Sequence, residues 1–291
     1  MVKNAYVFVY VKKKYYLCSM KHIRIISPSG AIEPEYIRLA QSRLESWGFR
    51  VSVGAYASSQ CGRFAGTLSE RLSDLDDAFA DSDVDIILCS RGGYGLQQIV
   101  DKVKLPERPK SEWPLLVGFS DVTALHFLMS LHGVPSLHAS MCKALATLPE
   151  ASPALQAMKA ALQGHYEPAL RGKKVIGGNL SVLYGLQGTF YSLDAIIDRC
   201  DEAPVLLIED IGERHYHVDR MLNNLRMSGV LGRLSGVIVG QFTDCNDDPK
   251  MGCTLQETIR SILADYDYPV VWDAPYGHVD ENMPIFLSRE E

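Results

Sequence analysis

A chain of 291 residues, 47% hydrophobic and 22% charged, is long enough for one large or two medium domains with a buried core. A net charge of −6, with no long basic run past Lys14, argues against nucleic acid as a partner. The seven cysteines are widely spaced and form no C-x-x-C pair, which argues against a disulfide framework or zinc knot and fits a reducing compartment.

Residues 1–20 read as an extension of uncertain status, outside the working fold. The apolar stretch Ala5–Val11 is short, and Lys12, Lys13 and Lys14 follow it, whereas a secretory signal carries its charges first. No stretch approaches the roughly 20 apolar residues of a membrane span, so no stable membrane insertion is expected.

From residue 21 strands and helices alternate. His22–Ser27 is β-type and ends in the turn Ser27-Pro28-Ser29-Gly30. Ile37, Ala40, Leu44 and Trp47 recur at helical spacing in Glu35–Trp47, and Phe49–Val53 is a strand. Thr67–Ala80 is a second helix, and Val84–Cys89 is a continuous apolar run, expected to be buried on both faces. Gly95–Val100 is expected to start another helix. Leu115–Val117 is a strand, Gly118 allows a sharp turn, and Asp121–Leu131 reads as a helix before the strand Val134–Leu137. Apolar strands alternating with helices predict an α/β fold, a doubly wound parallel sheet over about residues 21–145.

Residues 149–173, richer in Pro, Gly and charge, read as the linker between an N-terminal domain at 21–148 and a C-terminal domain at 174–291. In the second half, Gly177-Gly178-Asn179-Leu180 is expected to open a helix running to about Leu186. Val205–Ile208, Ser235–Val239 and Val270–Trp272 read as strands and Val218–Met227 as a helix.

Three loops fall at the carboxyl ends of the first strands, where such sheets place their sites: Ser27–Gly30, Ser90–Gly95 and Gly118–Asp121. A serine at the tip of a strand–turn–helix suits a nucleophile elbow, and the first free N–H groups of the helix suit a developing oxyanion. The match to G-x-S-x-G is partial, because Val122 replaces the second Gly, and Ser120 could instead be a helix cap. The run Ser90-Arg91-Gly92-Gly93-Tyr94-Gly95 permits close backbone approach to a ligand, and Arg91 adds a planar fork that suits a carboxylate. It matches neither nucleotide-binding spacing, and a Gly-rich turn with an exposed Arg is the plain alternative.

Glu209 ends the apolar run Val205–Ile208, so a carboxylate would stand at the mouth of a sheet, able to orient a histidine. Asp210 should point to the other side, and Glu213 is a further candidate, although such acids can also serve the helix that follows. Among eight histidines, His138 follows a strand end and could line a cleft, and His278 lies on a Pro/Gly loop after a strand. His126 and His132, on the helix after the elbow, read as core or surface groups. His215 and His217 do not share a helix face and make a poor metal pair.

Taken together, these stretches resemble one family, the LD-carboxypeptidases, serine peptidases that trim murein tetrapeptides in peptidoglycan recycling. The resemblance covers about residues 22–284. It rests on Ile26-Ser27-Pro28-Ser29-Gly30, Arg91-Gly92-Gly93-Tyr94-Gly95, Gly118-Phe119-Ser120-Asp121, Gly177-Gly178-Asn179-Leu180, Ile208-Glu209-Asp210 with Asp219-Arg220, and Pro275-Tyr276-Gly277-His278. It implies a flavodoxin-like N-terminal domain holding Ser120 and a smaller C-terminal α/β domain holding Glu209 and His278, the three forming a triad across the boundary. The oxyanion would rest on the N–H of Asp121 and that of Gly92 or Gly93, with Arg91 on a substrate carboxylate or bracing its loop. It implies a murein tetrapeptide substrate, no metal or cofactor, a cytoplasmic location and a homodimer. An immunity branch of the same family hydrolyses peptide-nucleotide antibiotics, and a non-catalytic peptide binder is the alternative from another class. A nucleotide-binding α/β protein is a third.

Two positions depart from the family pattern. Ala139-Ser140 stands where Gly-Pro is usual after His138, and the usual Gly and closing strand are not recognisable past Ile285. A missing edge strand would loosen the loop that carries His278.

Overall fold

The computed structural model describes residues 20–166 and 172–289. The expected extension therefore lies, but for Met20, outside the described residues. The first part runs β1 His22–Ile26, α1 Pro34–Ser46, β2 Arg50–Val53, α2 Leu68–Ala80, β3 Ile86–Cys89, β4 Leu115–Gly118, α3 Thr123–Leu131, β5 Ser136–His138, α4 Cys142–Thr147 and α5 Pro153–Leu162. The second runs β6 Val175–Asn179, α6 Leu180–Gly185, α7 Leu193–Ile197, β7 Val205–Ile211, α8 His215–Met227, β8 Gly236–Thr243, α9 Leu255–Leu263, β9 Val270–Val271 and β10 Ile285–Leu287.

Among the described residues these strands make two sheets. The first has the order β10-β5-β4-β3-β1-β2, with β1 to β5 parallel and β10 antiparallel on the edge beside β5. The parallel order 2-1-3-4-5 is that of a flavodoxin-like doubly wound sheet. The second sheet is parallel, in the order β6-β7-β8-β9. Among the described residues no helix is long and apolar enough to cross a membrane.

The central strands read as apolar runs because both of their faces are covered. On one face Ile23, Ile25, Leu88, Val117 and Leu137 pack against Ile37, Ala40 and Leu44 of α1 and against α4 and α5. On the other, Ile26, Ile87, Cys89 and Leu116 join a core that continues through α3 into Ile176, Leu180, Leu206 and Leu222 of the second unit. Every residue of α3 is buried. This helix is buried on all sides because it lies between two sheets, and Ser120 sits just before it.

Several elements differ from the sequence expectation, each for a local reason. Gly95–Val100 is not one helix but two short 3-10 turns, Leu96–Gln98 and Val100–Lys102, interrupted at Ile99 with φ −128°. The expected helix Asp121–Leu131 begins with a 3-10 turn, Ser120–Val122, before α3. Gly177 and Gly178 are not helical; they belong to β6, and the helix starts after Asn179, whose Oδ1 accepts the Val182 N–H at 3.2 Å. Added Cβ atoms would fall 2.1 Å from the Leu207 carbonyl oxygen and 2.6 Å from Thr123 Oγ1, so these glycines let the Leu207 backbone and the Thr123 side chain approach β6. The 149–173 stretch carries α5, capped by Ser152 and started by Pro153, with Leu155, Met158, Ala161 and Leu162 packed on the first sheet.

The expected gap at the C-terminal edge is filled. Ile285, Phe286 and Leu287 pair with His138, Leu137 and Ser136, and the Ser288 N–H donates to the Val175 carbonyl at 2.8 Å. The segment after His278 therefore bridges the two sheets, and the loop before it is held at both ends.

Candidate active site

Ser120 opens the 3-10 turn that follows β4 and has φ +66°. Serine rarely adopts this left-handed conformation, and such a strained turn is what projects a nucleophile's side chain from a strand-to-helix elbow. Gly92 lies directly against it. A Cβ at Gly92 would stand 2.7 Å from Ser120 Cβ, 2.9 Å from Ser120 Oγ and 3.2 Å from the Asp121 nitrogen. Only glycine lets the Ser90–Gly95 loop approach this closely. Gly93 has φ +107° and rests against Gly30, whose N–H donates to the Gly92 carbonyl at 3.0 Å.

The Asp121 side chain ties the three suspected loops together. It is buried, and its Oδ2 accepts from the Ser29 hydroxyl and, at 2.9 Å, from the Leu96 N–H. Burial raises its pKa against the opposing pull of these hydrogen bonds and of Arg71 and Arg63. Arg71, buried beneath, donates to the carbonyls of Pro28 and Gly95, each at 3.1 Å. Arg91 braces the same region by donating to the Ala31 carbonyl.

Glu209 arrives from the second sheet. The register of β7 on β8 shifts between Ile208 and Asp210, and such bulges re-aim side chains near sites. Glu209 is fully buried, whereas Asp210 points to the other side, accepting from Asn179 Nδ2 at 2.9 Å and the Ser181 N–H at 2.8 Å. Burial, then the nearby Glu209 charge, raises the pKa of Asp210 to about 7 despite these donors.

His278 joins the two halves. Its Nδ1 is 2.7 Å from Glu209 Oε2 and its Nε2 is 2.9 Å from Ser120 Oγ. A carboxylate can only accept, so Nδ1 carries the proton and Nε2 is left to accept from the serine hydroxyl. The His278 carbonyl accepts from Thr243 Oγ1 at 2.8 Å, and the Gly277 N–H donates to Asn282 Oδ1 at 2.9 Å. A Cβ at Gly277 would lie 2.8 Å from Glu209 Oε2, so the backbone passes over the carboxylate where a side chain could not. Phe119 packs its ring 4.8 Å from the imidazole.

The structure thus brings together Ser120, Glu209, His278, Gly92 and the Asp121 backbone. It leaves Glu213 elsewhere, paired with His217 at 2.9 Å. His138 does not line a cleft; it is buried inside β5, and neither ring nitrogen has a hydrogen-bond partner among the described residues. His126 is a core group that supports the elbow. Its Nε2 lies 3.0 Å from the Gly118 carbonyl, which fixes the proton there, and its Nδ1 accepts from Ser136 Oγ at 2.8 Å. His215 contacts Thr258 Oγ1 at 2.7 Å. Among the described residues no three His, Cys, Asp or Glu side chains cluster as a metal site.

Sequence reasoning missed Ser29, Thr123 and Asn282 as supports of the site. The Asn179 N–H donates to Thr123 Oγ1 at 2.9 Å, linking β6 to the helix behind Ser120. Ser29 stood in a flagged turn, but a hydroxyl that bonds a carboxylate 92 positions away leaves no local signal.

A hydroxyl, an imidazole and a carboxylate in hydrogen-bonded series, drawn from two α/β units, define the class of a serine-hydrolase-like site. Sequence comparison gives the family: the LD-carboxypeptidase N-terminal domain matches residues 23–139 and its C-terminal domain residues 172–290. The chain belongs to the LD-carboxypeptidase family. A Synechocystis relative bearing a provisional carboxypeptidase name is 31% identical, covering 92% of this chain and 90% of its own. The murein tetrapeptide carboxypeptidase of Pseudomonas aeruginosa is 28% identical, covering 89% of each chain. The same fold occurs in the muramoyltetrapeptide carboxypeptidase from Oxalobacter formigenes, with a TM-score of 0.77, 24% identity and 92% of both chains covered. It also occurs in the microcin C7 self immunity protein MccF, with a TM-score of 0.76, 16% identity and coverage of 92% of this chain and 91% of that one.

Proposed function

We propose that this chain is a serine carboxypeptidase that releases the terminal D-alanine from murein tetrapeptides, cleaving an L,D bond. The observation that carries the reading is the series Ser120 Oγ–His278–Glu209, at 2.9 and 2.7 Å. His278 takes the Ser120 proton at Nε2 while Glu209 holds Nδ1–H and stabilises the imidazolium. Ser120 Oγ bonds to the carbonyl carbon of the residue before D-alanine, and the carbonyl oxygen becomes an oxyanion. The N–H of Asp121 and that of Gly92 or Gly93 receive it, each lowering the barrier by about 3 kcal/mol. The C–N bond then breaks, His278 gives its proton to the leaving amine, and water resolves the acyl-enzyme by the same steps in reverse.

The murein substrate is supported by the relative from Pseudomonas aeruginosa, matched across 89% of this chain. The immunity-type alternative, hydrolysis of a peptide-nucleotide antibiotic, draws on fold likeness at 16% identity. A role in peptidoglycan recycling in the cytoplasm follows from the family resemblance. It is consistent with the six described cysteines, which are all free. The homodimer rests on the family resemblance alone.

A fluorophosphonate serine probe separates enzyme from binder. The expected result is one adduct, mapped to Ser120 and absent in Ser120→Ala. Binding of murein tetrapeptide without labelling would make the chain a non-catalytic receptor.

A further inference from the structure

A carboxypeptidase must recognise the free carboxylate of the residue it removes. That group lies one residue beyond the scissile carbonyl, about 3.8 Å in Cα spacing, so its counter-charge belongs on the rim beside Ser120. The glycines beside Ser120 supply none, and Asp121 is an acid. Arg91, the obvious cation, is already engaged with the Ala31 carbonyl, and Arg71 is buried and committed to Pro28, Gly95 and Gln98.

We propose that Arg63 is the specificity residue that binds the terminal carboxylate of the leaving D-alanine; this rests on the peptidase reading above. Arg63 follows β2 at the same end of the first sheet as the site loops, and its carbonyl accepts the Ala31 N–H at 3.0 Å. Its guanidinium carbon lies 5.5 Å from the centre of the Tyr94 ring. Tyr94 is two residues beyond Gly92, the residue that abuts Ser120. Behind it the Phe64 ring is 6.0 Å from Tyr94, and Arg71 lies 4.8 Å over Phe64. The series Arg63–Tyr94–Phe64–Arg71 holds the exposed guanidinium beside the Gly-rich loop.

A guanidinium held over a ring keeps its N–H donors, and these match a carboxylate in a two-point fork. Among the described residues Arg63 makes no side-chain hydrogen bond and no ion pair, unlike Arg71 and Arg91. Its field also reaches the Asp121 carboxyl beside Ser120.

The test compares murein tetrapeptide with the same peptide ending in D-alanine amide, on wild type and on Arg63→Gln and Arg63→Lys. Wild type should favour the free acid through a lower KM. Arg63→Gln should raise KM for the acid by about tenfold to a hundredfold, the usual range for losing a charged hydrogen bond. It should leave kcat, the amide substrate and the phosphonylation rate of Ser120 within about threefold, and Arg63→Lys should restore part of the preference. An unchanged acid-to-amide preference in Arg63→Gln would overturn the assignment. So would equal slowing of both substrates and of phosphonylation, which would make Arg63 a loop brace. If wild type cleaves both peptides equally, the anchor fails while the peptidase reading stands; if it cleaves neither, the peptidase reading itself fails.

Discussion

His278 Nε2 lies 2.9 Å from Ser120 Oγ across 158 positions of sequence. Neither sheet could build this contact alone. β4 and its elbow present the hydroxyl, while the loop after β9 presents the imidazole, and the later strand β10 closes the loop back onto the edge of the first sheet.

In the proposed mechanism the buried acid decides how far that contact is activated. Glu209→Gln keeps a hydrogen-bonding oxygen but removes the charge that stabilises the imidazolium, so kcat should fall by roughly 10³ to 10⁴. Glu213→Gln, which alters only the His217 pair, should stay within about threefold of wild type. Steady-state kinetics on both variants checks this, and the reverse order would mean that the wrong carboxylate has been assigned.

Gly92 is a steric requirement of the Ser120 elbow. Gly92→Ala places a methyl 2.7 Å from Ser120 Cβ and 3.2 Å from the Asp121 nitrogen. The loop must retreat, and the proposed oxyanion donors go with it, so kcat should drop by about 10² to 10³ with the far-ultraviolet circular dichroism unchanged. Wild-type turnover in this variant would show that the loop plays no part in the reaction.

Thr123 couples the two units. Thr123→Val keeps the shape but strands the buried Asn179 N–H. Stability should fall by about 1–3 kcal/mol in chemical denaturation. An unchanged midpoint would mean that β6 does not depend on this bond.

The buried histidines set a dependence on acid. Burial, with smaller contributions from His126 and His278, lowers the His138 pKa to about 3, and burial lowers that of His126 to about 4. Below about pH 6.5 the unfolded chain takes up protons that the native state refuses. Stability from each histidine is therefore complete above that pH and lost as pH falls toward its native pKa, at about 1.4 kcal/mol per pH unit. Asp210 works the other way: with its native pKa raised to about 7, its contribution is complete below about pH 4 and lost as pH rises through 7. Denaturation of His138→Leu should isolate one term, its stability falling less steeply than wild type between pH 6 and 4 by about 1.4 kcal/mol per unit. Parallel curves would show that His138 titrates normally.

The alternation of strand and helix in the first half was legible because buried parallel strands read as apolar runs; the capping box of Thr67 and Glu70 that starts α2 was seen only in the structure. Ser120, Glu209 and His278 were each ambiguous alone and became readable only through six ordered blocks. β6 stayed hidden because Gly177 and Gly178 carry no β-type side chains; their reason is the closeness of Leu207 and Thr123. α5 was masked by a composition that resembles a linker. β10 was missed because only its partner β5 makes three apolar residues a strand. The bracing role of Arg91 was also not legible, since its engagement with Ala31 depends on two loops meeting.

The most direct measurement is the release of free D-alanine from murein tetrapeptide by wild type and by Ser120→Ala. The account predicts stoichiometric D-alanine and tripeptide from wild type, and turnover lower by a factor on the order of 10⁴ or more in a folded Ser120→Ala. D-alanine released at the wild-type rate by that variant, or none released by wild type, would contradict it.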